Sequence, residues 1–358
     1  MASMKHLLPL PLDILIFDMD GVLIDVSGSY RKTISKTVQI YLETCLGFER
    51  RLTPLITEKH IASFKMAGGF NNDWDLTSGL LLFLLSISGF PPMSKRKAFV
   101  AIEEVSRYLQ SCSSGCLSTL TGQTLEYHFP RFVERVTSCG GGLKGIRRTL
   151  RKTRNASWEG WIYSSGEIQT TNVVKRIFQE VYLGHQFVHH DSLRPFFYYG
   201  QGYHLREKLL ISRRILSSLH KRVKMGIASG RPRVEAELAL KRFQIDRYFD
   251  RIVTLDECAA EEARLFRITR KKIKRTKPHP YPLLRVMREM GFPHPRSAYV
   301  GDVVDDIQAA RHAGRKIPVV PVGFVFRSGQ KKSLANSLRK AGARIIIQQP
   351  EDLLRLVS

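Results

Sequence analysis

Acidic residues are few beside basic ones: 32 Asp and Glu stand against 57 Lys and Arg in 358 residues, a formal net charge of +25. The basic excess is spread over both the segment 29–200 and the remainder, so it is not the signature of one tail. Such a balance favours anionic ligands and admits contact with nucleic acid or an anionic surface. Cysteines are also few. The five of them are odd in number and irregularly spaced, which excludes a disulfide framework and points to reduced thiols in the cytoplasm. Cys112 and Cys116, with His128 and Cys139 downstream, lack the second tight pair of a zinc site and read as plain thiols. Long hydrophobic runs are missing. The N-terminal apolar stretch is broken by Pro9, Pro11 and Asp13, and Leu80 to Phe90 is too short to span a bilayer. The expectation is a chain with no transmembrane segment, its second apolar run forming a buried helix. No internal repeat is present. Apolar content of 43% and charged content of 25% are ordinary for a globular protein, and the length suits two domains.

What is present begins with Leu12-Asp-Ile-Leu-Ile-Phe-Asp18-Met-Asp20-Gly21-Val-Leu-Ile-Asp25. The apolar run Ile14 to Phe17 suits a short strand buried on both faces of a parallel sheet. Ligands bind at the carboxyl ends of such strands, where Asp18 and Asp20 fall. Two carboxylates there are costly unless they hold a metal or do chemistry. Three further elements follow. Val223 to Ser229-Gly230 reads as a strand ending in a hydroxyl. Lys277 lies in Thr276-Lys-Pro-His-Pro-Tyr-Pro282. Ala298-Tyr-Val-Gly301-Asp302-Val-Val-Asp305-Asp306 is another strand ending in carboxylates.

In that order the four elements resemble motifs I to IV of the haloacid dehalogenase superfamily, in the form of its phosphatases. The resemblance covers residues 1–28 and about 203–358. The long insert between motifs I and II is similar to the helical cap of the phosphoglycolate phosphatase-like subgroup. Gly68 to Thr77 and Phe178 to Gly184 look like a less characterised branch of it.

The resemblance implies an α/β fold, a doubly wound parallel sheet with an inserted, mainly α-helical cap. Its expected domains are a core of 1–28 with 203–358 and a cap of 29–202. It implies a Mg²⁺-dependent phosphatase acting on a small phosphorylated metabolite through an aspartyl phosphate. Asp18 matches the nucleophile and Asp20 the general acid/base. Asp18, Asp302 and the backbone carbonyl of Asp20 would hold Mg²⁺, and Asp306 would orient the metal shell. Ser229 and its neighbouring amides would take phosphate oxygens, and Lys277 would quiet repulsion between carboxylates and phosphate. Asn72, Asp73 and Gly230 are candidate substrate contacts, although Asp73 also reads as a helix start. Asp25 reads as structural and Arg231 as solvated. A phosphomutase or phosphotransferase is the near alternative. A nucleic-acid-binding protein with a vestigial site is the alternative of another class.

Along the chain, strands are expected at 223–228, 251–255, 298–301, 317–322 and 344–347. Helices are expected at 208–221, 232–243, 280–290, 305–313, 331–340 and 351–356, alternating with the strands as in a doubly wound sheet. In the insert, 30–46, 76–88, 94–110 and 172–183 read as helices. Loops are expected at 111–115 and 139–142, a mobile basic tract at 147–154, and a solvated basic loop at 264–277.

Overall fold

A computed structural model describes residues 9–70, 73–188, 193–326 and 331–357. The chain divides into two compact units, Met1–Val26 with Lys208–Ser358, and Ser27–Glu207.

The first unit is built on β1 (Ile14–Phe17), every residue of which is buried. Its side chains alternate between faces, as a strand requires. Leu15 and Phe17 join one apolar cluster and Ile14 and Ile16 another, so both faces are covered and the strand reads as an unbroken apolar run. A small antiparallel pair follows, β2 (Ile24–Asp25) with β3 (Lys208–Leu209), joining the two ends of the chain that leave this unit.

The second unit is helical. It holds α1 (Tyr30–Ile40), continued by a wider turn Tyr41–Cys45, then α2 (Glu58–Met66), α3 (Asp73–Ile87), α4 (Ile102–Ser113), α5 (Gly122–Ser138), α6 (Gly142–Arg154) and α7 (Val173–Leu183). Helix α3 is buried along its length from Leu76 to Ser86, as a helix apolar on all sides must be. This is the apolar run too short for a bilayer. Among the described residues no helix is long and apolar enough to cross a membrane.

The first unit then resumes with α8 (Arg213–His220), β4 (Lys224–Ala228), α9 (Arg233–Arg242), β5 (Arg251–Val253), α10 (Leu255–Thr269) and α11 (Tyr281–Glu289). After them come β6 (Ser297–Gly301), α12 (Val304–Ala313), β7 (Val319–Phe324), α13 (Lys331–Ala341), β8 (Ile345–Ile347) and α14 (Asp352–Leu356). The six-stranded sheet has the order β5-β4-β1-β6-β7-β8, all parallel. The core is thus the expected doubly wound α/β sheet. Helices α8, α9 and α14 cover one face, and α11 and α12 the other. Strand β1 lies where the strand order reverses, and open α/β sheets bind ligands in the crevice at that point. Phe17 stands level with Ile227 of β4 and Val300 of β6. The residues just beyond, Asp18, Ser229 and Asp302, therefore leave the sheet at the same edge.

Several elements differ from expectation. Helix α4 starts at Ile102 rather than 94, because the chain before it is tied to a neighbouring loop: Gly160 N–H donates to Met93 O, and Tyr163 Oη bonds both main-chain groups of Lys97. The basic tract 147–154 is the second half of α6. Its periodicity is real, with Ile146 and Leu150 buried under a basic outer face. Residues 255–269 form α10, where a strand end and a basic loop were expected. Thr254 and Glu257 form its capping box, yet Cys258 is its one buried residue. A helix that buries so little carries no apolar stripe to read.

Glycines of the insert meet backbone to backbone. Gly142 N–H donates to Gly68 O at 2.8 Å, and a Cβ on Gly142 (φ +59°) would lie 2.1 Å from Gly69 O. Gly142→Ala is therefore expected to lower stability by at least about 1 kcal/mol. Gly122→Ala, whose Cβ would meet nothing within 4 Å, is expected to cost nothing measurable. Equal urea midpoints for the two variants would contradict this packing.

Candidate active site

The strand ends bring the motif residues together. Asp18 follows β1, is only 6% exposed, and its N–H donates to Val300 O at 2.8 Å. Lys277, in the loop between α10 and α11, places Nζ 2.8 Å from Asp18 Oδ1 and 2.7 Å from Asp306 Oδ1. It also donates to Tyr299 Oη at 2.9 Å. Asp306, on α12 and fully buried, accepts the N–H groups of Asp302 and Val303 through Oδ2, at 3.2 and 3.3 Å. Its carboxylate thus sets the turn that carries Asp302 while fixing the lysine. Asp305 is exposed beside it. Carboxylate oxygens of Asp18, Asp302 and Asp306 lie within 4.8 Å of one another, a spacing at which a cation can be shared. Among the described residues Cys112, Cys116, His128 and Cys139 form no such group, and the five cysteines are free.

The electrostatics follow from this crowding. Burial pushes the Asp18 carboxyl up to about 7. Lys277 pulls against that rise, and the charges of Asp306 and Asp20 add to it. Asp302 is held well above the ordinary carboxylate range by burial and by Asp306 and Asp18. Burial works against the Lys277 charge, but Asp18 and Asp306 outweigh it and raise its pKa well above the usual value. A divalent cation would relieve the repulsion, and oxygen donors of this kind suit Mg²⁺.

Ser229 is buried. Its N–H donates to Val253 O at 2.9 Å, and its Oγ accepts the N–H of Arg231 at 3.2 Å. It serves as a turn cap and keeps its hydroxyl proton for another acceptor. Gly230 is exposed, with open space where a side chain would stand. Of the insert candidates, Asn72 lies outside the described residues. Asp73 starts α3 and pairs with Lys65 at 2.8 Å.

Two residues here escaped the sequence reading. Arg231, expected to be solvated, is 2% exposed, and its Nε bonds Asp20 Oδ1. An arginine beside a strand end gives no sign of burial until its carboxylate partner, 211 residues away, is placed. Tyr299 is buried and joins Lys277, Asp306 and Ala228 O through its hydroxyl. In the sequence it is one apolar strand residue among others.

Residues 211–320 match the family described as haloacid dehalogenase-like hydrolase. The match spans β4, Lys277 and β6. Over these residues the chain is similar to the haloacid dehalogenase-like hydrolases. A Phytophthora nicotianae protein named imidazoleglycerol-phosphate dehydratase is 23% identical over 340 residues, covering 94% of this chain and 49% of that one. Pyrophosphatase PpaX of Halalkalibacterium halodurans is 28% identical over 178 residues, 49% of this chain and 66% of its own. The chain thus spans about half to two thirds of the length of these curated relatives. Among solved structures, a structural-genomics target covers 96% of this chain and 97% of its own at TM-score 0.59 and 15% identity. Phosphatase Tt82 from Thermococcus thioreducens covers 91% and 99% at TM-score 0.51 and 21% identity. Both share the fold.

The charge crowding has a measurable consequence. A carboxyl whose folded pKa lies above its unfolded value takes up a proton on folding. Its contribution to the stability of the protein therefore falls as pH rises from about 4 towards about 7. In chelator, Asp18→Asn is expected to stabilise the protein at pH 8 relative to pH 5 by up to about 3 kcal/mol, since about two pKa units of the shift lie between those pH values at about 1.4 kcal/mol each. Thermal unfolding at both pH values checks it. A difference from wild type that is the same at both would contradict the placement of Asp18.

Proposed function

We propose that this protein is a Mg²⁺-dependent phosphatase that cleaves a small phosphate monoester through an aspartyl phosphate on Asp18. The observation that carries the reading is the convergence of Asp18, Asp302, Asp306 and Lys277 at the carboxyl edge of the sheet. Asp18 attacks phosphorus as the ester P–O bond breaks, and Asp20 gives a proton to the leaving oxygen. Asp20 then takes a proton from the water that attacks the acyl phosphate, which returns the Asp18 carboxylate and releases phosphate. Lys277 holds Asp18 in place and offsets its charge as the anionic substrate approaches. Ser229 and the exposed Gly230 backbone offer donors to phosphate oxygens. Mg²⁺, held by Asp18, Asp302 and the Asp20 carbonyl with Asp306 supporting, would supply charge against the phosphoryl oxygens.

For the substrate we place first a phosphate ester of a small alcohol bearing an imidazole ring. The support is the Phytophthora relative, which matches nearly all of this chain and is named for imidazoleglycerol phosphate. Pyrophosphate is the rival on the name of the other relative. Release of inorganic phosphate separates hydrolysis from transfer to a second substrate. Asp73, with Asn72, is proposed as a contact for the leaving part. The unpaired cysteines fit a reducing, cytoplasmic setting.

Phosphate release from a panel of imidazole-bearing, polyol and aryl phosphates and pyrophosphate is expected to need Mg²⁺. It is expected to fall by at least about a thousandfold in Asp18→Asn, since covalent catalysis has no substitute in the site. Full activity of that variant, or full activity in excess chelator, would falsify the mechanism.

Asp73→Ala is expected to change the ranking of kcat/KM within the panel while leaving turnover of the aryl phosphate within about threefold. An unchanged ranking would leave Asp73 with only its role at the start of α3.

A further inference from the structure

We infer that Arg231 is the positioning residue for Asp20, holding the carboxyl that passes the proton to and from the reacting oxygens. The inference rests on the phosphatase reading above and assigns a role to a side chain beyond the four motifs.

The Arg231 guanidinium is 1% exposed while the Asp20 carboxylate it grips through Nε is 35% exposed. A cation so enclosed does not serve as a surface collector of anions. Burying it is costly unless it is matched by a carboxylate, and Asp20 supplies one. The main chain of Arg231 is fixed on both sides. Its N–H donates to Ser229 Oγ at 3.2 Å and its carbonyl accepts the N–H of Leu255 at 2.9 Å. The residue is thereby pinned between the end of β4 and the start of α10. Asp20 itself sits on a tight turn, with Gly21 at φ +80° and its N–H on Ile24 O at 2.8 Å. A carboxyl on a turn needs a rigid partner to keep one direction, and a guanidinium provides directed donors where an ammonium offers a point charge.

The proton path shows why direction matters. In the first step the Asp18–P bond forms, the ester P–O bond breaks, and the Asp20 proton goes to the leaving oxygen. In the second, water loses a proton to Asp20 as its oxygen bonds phosphorus and the Asp18–P bond breaks. Both reacting oxygens occupy the same side of phosphorus, so one carboxyl orientation serves both steps.

The test uses the intact protein with Mg²⁺ and two substrates, p-nitrophenyl phosphate and glycerol phosphate. Values of kcat/KM report the chemistry up to the first P–O cleavage. A nitrophenolate leaves without a proton, whereas an alkoxide does not. In Arg231→Gln, kcat/KM is expected to fall about 10- to 100-fold on glycerol phosphate and less than about 3-fold on the aryl ester, since general acid catalysis is worth about 10²–10⁴-fold. Arg231→Lys is expected to fall between. Equal losses on the two substrates in a variant that melts like wild type would overturn the inference. Should Arg231→Gln fail to fold, Arg231→Lys is read on an Asp20→Asn background. There the lysine is expected to cost nothing further, because the group it positions is already gone, and a full additive loss would overturn the inference. Absence of all turnover by the wild-type protein would instead remove the phosphatase reading, and this inference with it.

Discussion

The site depends on one ammonium group. Lys277 Nζ sits between Asp18 and Asp306, at 2.8 and 2.7 Å, in surroundings that exclude most water. Without that charge, the buried carboxylates at the edge of the sheet would repel one another with little solvent to screen them. With it, one carboxylate is spoken for on every side. Asp306 takes Lys277, Tyr299 and two backbone N–H groups, and so shapes the turn that presents Asp302. Asp18 is the carboxylate proposed to meet the substrate.

The sheet makes this convergence inexpensive to build. Its central strand ends level with both neighbours, so three residues far apart in sequence leave the sheet together. The fourth, Lys277, comes from a loop and is held by Tyr299 from inside β6. Rigid strands set the carboxylates, and hydrogen bonds set the lysine. The strained charge that results is the usual mark of a site kept for function at some expense of stability.

Much of the core was legible. Short apolar runs ended by Asp, Ser or Gly-Asp announce buried parallel strands and the edge where ligands bind, whereas the place of Lys277 beside Asp18 was an expectation of the family resemblance alone. What was not legible lacked a local signal. Helix α10 buries only Cys258, so no apolar stripe betrays it. Helix α6 was hidden by its basic outer face, although Ile146 and Leu150 mark its inner one. Arg231 read as solvated because the carboxylate that matches its charge, Asp20, is contributed by the other end of the core sequence. Tyr299 read as core, which it is, but its hydroxyl contacts exist only once Lys277 and Asp306 are in place.

The most direct test of the central claim, that Asp18 is the group that takes the phosphoryl, is acid-quench trapping. The protein is mixed with a turned-over phosphate ester and Mg²⁺, quenched within the first turnover, digested, and mapped by mass spectrometry. The account predicts phosphate on the peptide containing Asp18, at that residue, and its loss when chelator precedes substrate. Phosphate on another residue, or steady phosphate release with none on Asp18 across the quench times, would contradict it.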